Sequence, residues 1–150
     1  MSALITLDDS LWPLVIFRPT GVMTNSQFEE FLVRSSSLLE RGEPYISISD
    51  TRFSGLPPLY QTRRLTEWLE ANHDRLRERV LCNAIIVTSA PLRLTVSLMF
   101  HLKPQPMPHR AVSDMESALE YALDKLREAG RHADAERIQR HFAAPDSHVG

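Results

Sequence analysis

The sequence predicts an α/β fold: a mixed, mostly parallel sheet with an N-terminal antiparallel ribbon and about four helices. Three observations carry that prediction. Apolar residues change period repeatedly along the chain, from the alternation of a strand to the three-and-four spacing of a helix and back. The resulting order, β-β-α-β-α-β-α-β-α, calls for parallel strands joined by right-handed crossovers. The run "VLCNAIIVT", residues 80–88, is almost wholly apolar and β-branched towards its end, as a central strand covered on both faces must be.

Each element has its own signal. "ALITLDD" and "PLVIFRP" are short β-rich runs separated by Ser10 to Trp12, close enough to pair as an antiparallel ribbon. Thr24 followed by Gln27 makes a capping box, and Phe28, Phe31, Leu32, Leu38 and Leu39 keep helical spacing until Gly42 stops the run. "PYISIS" is a strand that ends at Asp50. A turn through Ser54, Gly55 and two prolines follows. Leu65, Trp68, Leu69 and Leu76 then mark a second amphipathic helix, with Pro57 or Pro58 in its first turn, where a missing N–H costs nothing. Ser89 caps a third helix, "APLRLTVSLMFHL", which Pro104, Pro106 and Pro108 close with a stiff link. A short strand, "HRAV", comes next. Ser113 with Glu116 forms another capping box, ahead of an apolar stripe through Met115, Ala118, Leu119, Ala122, Leu123 and Leu126 that Gly130 ends. The domain thus spans residues 1–130. Residues 131–150 form a C-terminal extension, a short amphipathic helix through Ile138 and Phe142 and then a frayed tail, "APDSHVG".

Composition narrows the function. A chain of 150 residues, 43% hydrophobic, suits one domain and is short for two. Its formal charge of −2 supplies no field to attract nucleic acid. Locally, too, Arg75, Arg77 and Arg79 are interleaved with Asp74 and Glu78, while Arg131, Arg137 and Arg140 are offset by Asp134 and Glu136. A single cysteine, Cys82, excludes an internal disulfide framework and a cysteine zinc cluster, and suits a reducing compartment. The N-terminus lacks the pattern of a signal peptide, and no apolar run approaches the roughly 20 residues that span a bilayer. The expected location is the cytoplasm, with no transmembrane segment.

The order of elements, with "YISISD" running into a loop and helix, "AIIVTS" running into "PLRLTVSLMF", and the final "RAVSDMESALEYAL", resembles the STAS or anti-sigma-factor-antagonist fold family. The likeness is to its uncharacterised bacterial single-domain relatives and covers residues 4–127. It implies a non-enzymatic signalling protein that docks on protein partners. Some family members are switched by phosphorylation of a serine at the start of the helix after the strand matching "YISIS". Here that stretch holds Leu56, Pro57 and Pro58, so the acceptor position falls on proline. Ser54 is the remaining candidate for modification. It lies earlier in the turn than the helix-cap position where a phosphate would meet free N–H groups, and as a plain turn serine it hydrogen-bonds its own backbone.

No catalytic signature is present. "RFSGLPP" supplies one of the two glycines of a nucleophile elbow, on the wrong side. There is no Gly-x-Gly-x-x-Gly, phosphate loop or His-Glu-x-x-His, so no cofactor and no metal are expected. His73, His101, His109, His132, His141 and His148 are scattered without a metal-binding pair. His101 and His109, which flank the proline link, are the two that a strand end could recruit, and a carboxylate beside either would revive an enzyme reading. Cys82, in a buried strand, reads as a small hydrophobe. An anion pocket is a further candidate: Arg63, Arg64 and Arg93, with Ser89, lie near the two helix starts that face the carboxyl ends of the strands. The plainer alternative is that Arg93 covers apolar surface and pairs with an acid such as Asp50.

The third helix carries the functional expectation. At about 100° per residue, Arg93, Ser97 and His101 share one narrow arc, while Leu92, Leu94, Val96, Leu98, Met99, Phe100 and Leu102 fill most of the rest. A helix packed on one sheet face needs an apolar stripe of little more than about 100°. The excess must be covered by the tail helix or by a second molecule. The sequence therefore predicts a protein-interaction module that self-associates or docks through Phe53, Leu56 and Leu59 of the turn and Leu94, Leu98, Met99, Phe100 and Leu102 of the helix. In the alternative, the same helix is a lid over a cavity that takes a small apolar ligand or lipid.

Overall fold

A computed structural model describes residues 4–143, with side chains from residue 6 onward. The segment expected to fray, residues 144–150, and His148 with it, lies outside the described residues.

Among the described residues, five strands form one sheet in the order β1-β2-β3-β4-β5: β1 (Leu4–Leu11), β2 (Leu14–Thr20), β3 (Tyr45–Asp50), β4 (Val80–Ile86) and β5 (His109–Val112). β1 runs antiparallel to β2, and the remaining pairs are parallel. Spatial order follows chain order, so each crossover joins neighbours. β4 is interior as expected, although the middle strand is β3.

Helices cover both faces. On one, α5 (Met115–Glu128) and α6 (His132–Ala143) close over Leu14, Ile16, Ile46, Ile48, Cys82 and Ala84. α6 belongs to this core, since Ala135 and Ile138 are fully buried in it. On the other face lie α1 (Asn25–Leu39), α2 (Leu59–Ala71), α3 (His73–Arg79) and α4 (Ala90–Leu102). α1 and α3 contribute Leu38, Leu39 and Leu76 to a second cluster with Val15, Tyr45 and Val80.

Among the described residues there are six helices: the four expected in the domain, the short one expected after it, and one more because the second helix breaks. Asn72 leaves helical geometry, at φ −109° and ψ 16°, so that Leu76 reaches the core from the separate α3. Two caps also differ. Pro58 is the N-cap of α2 and stands outside its first turn, offering no side-chain acceptor. α5 is capped by Asp114, one residue after Ser113, with its carboxylate accepting from Ser117 N at 2.7 Å. The capping box of α1 is as read: Thr24 Oγ1 accepts from Gln27 N, and Gln27 Oε1 accepts from Thr24 N.

Asp50 holds the carboxyl edge of the sheet together. Its side chain is fully buried. It accepts from Arg52 Nε at 2.9 Å and Nη2 at 2.7 Å, and from Arg18 Nε at 3.4 Å. These are its cationic partners in place of the Arg93 that the sequence suggested. Burial opposes the charge, but the two guanidinium groups and the Arg52 backbone N–H outweigh it and hold the carboxyl below its ordinary value of 3.8. The pair fixes the turn that follows β3. Asp50→Asn should lower stability at neutral pH by about 2 kcal/mol through loss of charge-assisted bonds. Because the folded value is depressed, that contribution is present above the ordinary carboxylate range and disappears as pH falls through the folded value. Denaturant titrations of both proteins should therefore show a gap at pH 7 that narrows in acid.

Candidate functional site

α4 is seated at its start and loose beyond it. Ser89 Oγ accepts from Leu92 N at 3.4 Å, and Leu92 is buried against Ile85 and Val87. Val96 and Phe100 lean on the same cluster. The outer flank is bare: Leu94, Leu98 and Leu102 are 61%, 53% and 73% exposed, four residues apart along one face. The tail helix does not cover them, because α6 packs on the opposite side of the sheet.

Beneath α4 the sheet face does not fill the space. The pleat alternates side chains, so the residues of β3 that face α5 are Ile46 and Ile48, while those that face the helix layer are Ser47 and Ser49. Both serine hydroxyls donate to Asn83 Oδ1 on β4, at 3.0 and 3.2 Å. Short side chains here leave a cavity of about 200 Å³ roofed by Leu92, Thr95, Val96, Met99 and Phe100 of α4. A second, of about 130 Å³, lies alongside and shares Phe17, Phe31, Ser49, Leu65, Asn83 and Gln105 as walls. None of the residues lining either cavity is charged. Gln105 lines both cavities, and its Oε1 is buried without a hydrogen-bond donor.

The turn after β3 also borders the larger cavity, through Ser54 and Pro57. It is held by Gly21 N donating to Phe53 O at 2.9 Å and Gly55 N donating to Gly21 O at 3.0 Å. Gly55 suits this close approach, since a Cβ there would come within 2.6 Å of Val22 Cγ2. Phe53, Leu56 and Leu59 project into solvent, with Val22 and Tyr60 also exposed.

The predicted residues thus fall into distinct places. Leu94, Leu98 and Leu102 form the outer row of α4, and Phe53, Leu56 and Leu59 form an exposed apolar rim on the turn. Met99 and Phe100 belong to the inner flank and line the cavity. Ser54 is half-buried and donates its hydroxyl to Gly55 O at 2.8 Å. The anion quartet is dispersed among other bonds. Arg64 pairs with Glu29 at 3.0 Å, Arg93 Nη2 donates to Val87 O at 2.9 Å, Ser89 caps α4, and Arg63 is exposed. The Ser47, Ser49, Asn83 and Gln105 lining was not singled out in the sequence, although "YISIS" and the lone Asn within "VLCNAIIVT" carry its signal.

No known family profile and no curated protein matches the sequence. Two solved structures share the fold. An uncharacterised protein of the DUF3478 family with a SpoIIAA-like fold, from Shewanella loihica PV-4, superposes with a TM-score of 0.59 at 14% identity, covering 81% of this chain and 94% of that one. An anti-sigma factor antagonist from Mycobacterium paratuberculosis superposes with a TM-score of 0.53 at 8% identity, with the same coverage. The chain has a STAS-like fold.

The described residues hold no cluster of three or more metal-ligating side chains, and no helix among them is long and apolar enough to cross a membrane. His109 stacks edge-on against Phe100, with ring centroids 4.6 Å apart, and its Nδ1 lies 3.4 Å from Met107 O. Its ring thus meets an aromatic side chain and a backbone carbonyl. Cys82 is fully buried, and desolvation pushes its thiol up to about 12. Such a thiol stays protonated and is a poor nucleophile. Labelling of the native protein by Ellman's reagent at pH 8 should therefore proceed at the rate of unfolding, and fast stoichiometric labelling in the folded state would contradict this placement.

Proposed function

We propose that this chain is a non-catalytic protein-interaction module of a bacterial regulatory system, acting in the cytoplasm and docking through the outer row of α4 with the turn beside it. The observation that carries the reading is the exposed row Leu94, Leu98 and Leu102, on a helix whose opposite flank already faces the protein. Three leucines spaced four apart make a stripe of the kind that enters a groove or meets a like helix. The rim of Phe53, Leu56 and Leu59 enlarges it. Exposed apolar patches of this kind mark interaction sites. The likeness to an anti-sigma factor antagonist supports a regulatory role.

Phosphorylation at the helix start is not part of this reading. Pro58 occupies the N-cap of α2, and Ser54 gives its hydroxyl to a neighbouring carbonyl. The docking surface is instead permanently presented, and a second copy of the chain is its first occupant, because two such rows related by a two-fold axis are self-complementary. Light scattering on the full chain should show a mass that rises with concentration towards a dimer. Leu98→Glu should hold it at the monomer mass and keep its folded far-UV circular dichroism, since the residue is exposed in the single chain. A wild-type mass that stays monomeric at all concentrations would remove self-association from the proposal, and a Leu98→Glu variant that unfolds would show that the row is structural.

A further inference from the structure

We propose that the free edge of β5 takes up an extended acidic segment of a partner protein, which adds to the sheet as a further strand. This surface is separate from the outer row of α4 and goes beyond the docking reading.

β5 closes the sheet on one side, and among the described residues only β4 pairs with it. Pro108 O accepts from Asn83 N at 2.9 Å, and Val112 O accepts from Val87 N at 3.0 Å. Backbone groups alternate sides along a strand, so Arg110 also turns its N–H and C=O to β4, while His109 and Ala111 turn theirs outward. His109, Arg110 and Ala111 are all exposed, so none of the described elements shields this row. An edge of that kind is a template for another strand. Strand addition reads a partner through main-chain bonds first and side chains second.

Charge selects the occupant. Arg110 stands on the α5 side, its guanidinium 4.5 Å from the centre of the Tyr121 ring. Arg93 stands on the α4 side at the carboxyl end of the sheet, where its Nη2 donates to Val87 O at 2.9 Å. Neither has a carboxylate partner among the described residues. Glu128 is already paired with Lys125 at 3.3 Å, and Asp114 is engaged as the cap of α5. An added strand thus runs between two guanidinium groups that lack a counter-charge, and its acidic side chains supply one. A second copy fits this edge badly, because β5 against itself sets the two Arg110 side chains opposite or diagonal to each other.

The test is amide hydrogen exchange of the full chain, read by NMR, alone and with a short blocked peptide that alternates valine and glutamate. The control peptide carries lysine in place of each glutamate. In the free chain the Ala111 amide should exchange rapidly and the Arg110 amide slowly. Saturating glutamate peptide should slow exchange at Ala111 by about ten-fold, the worth of one hydrogen bond, and the lysine peptide should leave it unchanged. Arg110→Glu alters an exposed side chain, so it should keep the fold and abolish the preference for the glutamate peptide. Unchanged exchange at His109 and Ala111 with both peptides, equal slowing by both, or a preference that survives Arg110→Glu would overturn the proposal. Slowing that grows with protein concentration in the absence of peptide would give the edge to a second copy instead. Peptide shifts confined to Leu94, Leu98 and Leu102 would likewise overturn it, and would place the binding on the outer row of α4.

Discussion

The pleat of β3 and β4 sends Ile46, Ile48, Cys82, Ala84 and Ile86 to one face of the sheet, and Ser47, Ser49, Asn83 and Ile85 to the other. The first face meets α5 and α6, and Ala118, Ala122, Leu126, Ala135 and Ile138 are all fully buried against it. The second face is floored by three short polar side chains tied to one another, and α1, α2 and α4 leave a cavity over them. Asymmetry between the faces is therefore written into the alternation of a single strand. Stability comes from one side, and the cavity lies on the other.

α4 inherits the consequence. A helix laid over a filled face would be held by interdigitated side chains along its whole length. Laid over a cavity, α4 is anchored by Leu92 and its Ser89 cap, with Val96 and Phe100 as weaker supports. Its polar arc of Arg93, Ser97 and His101 is narrow, so the rest of its circumference is apolar whether or not anything covers it. Inner residues face the void, and outer leucines face solvent. The turn after β3 stands beside it because Asp50, through Arg52 and Arg18, and Gly21, through Phe53 and Gly55, fix that segment to the ends of β2 and β3.

Much of this was legible in the sequence, and what was not follows a physical pattern. Strand β5 and the Thr24–Gln27 capping box were readable because their signals are local. The break at Asn72 was not, because Leu76 falls at a spacing that an unbroken helix would also give, and tertiary packing alone decides between them. Asp114 displaced Ser113 as a cap because two adjacent residues can each do the work and the difference is one residue of register. On α4 the excess of apolar circumference was visible, but its division was not. Met99 and Phe100 differ from Leu98 only by where the helix meets the sheet, and a helical projection carries no origin of angle. Gln105 was hidden for another reason: it sits between Pro104 and Pro106 in a stretch without periodicity, so nothing in the sequence says which way it points.

A segment with few buried apolar contacts and an exposed flank sits at the low end of the local stability scale of a protein, where opening costs least. α4 meets both conditions, and the link that follows it is stiffened by Pro104, Pro106 and Pro108 and carries the buried Met107. The closed core under α5 and α6 makes such looseness tolerable, since the fold does not depend on α4 for its main apolar burial. A well-packed α4 would contribute more to stability but would present neither a cavity nor a row of bare leucines. The short side chains of β3 leave space on the inner flank of α4, and its outer leucines stand in solvent on the other.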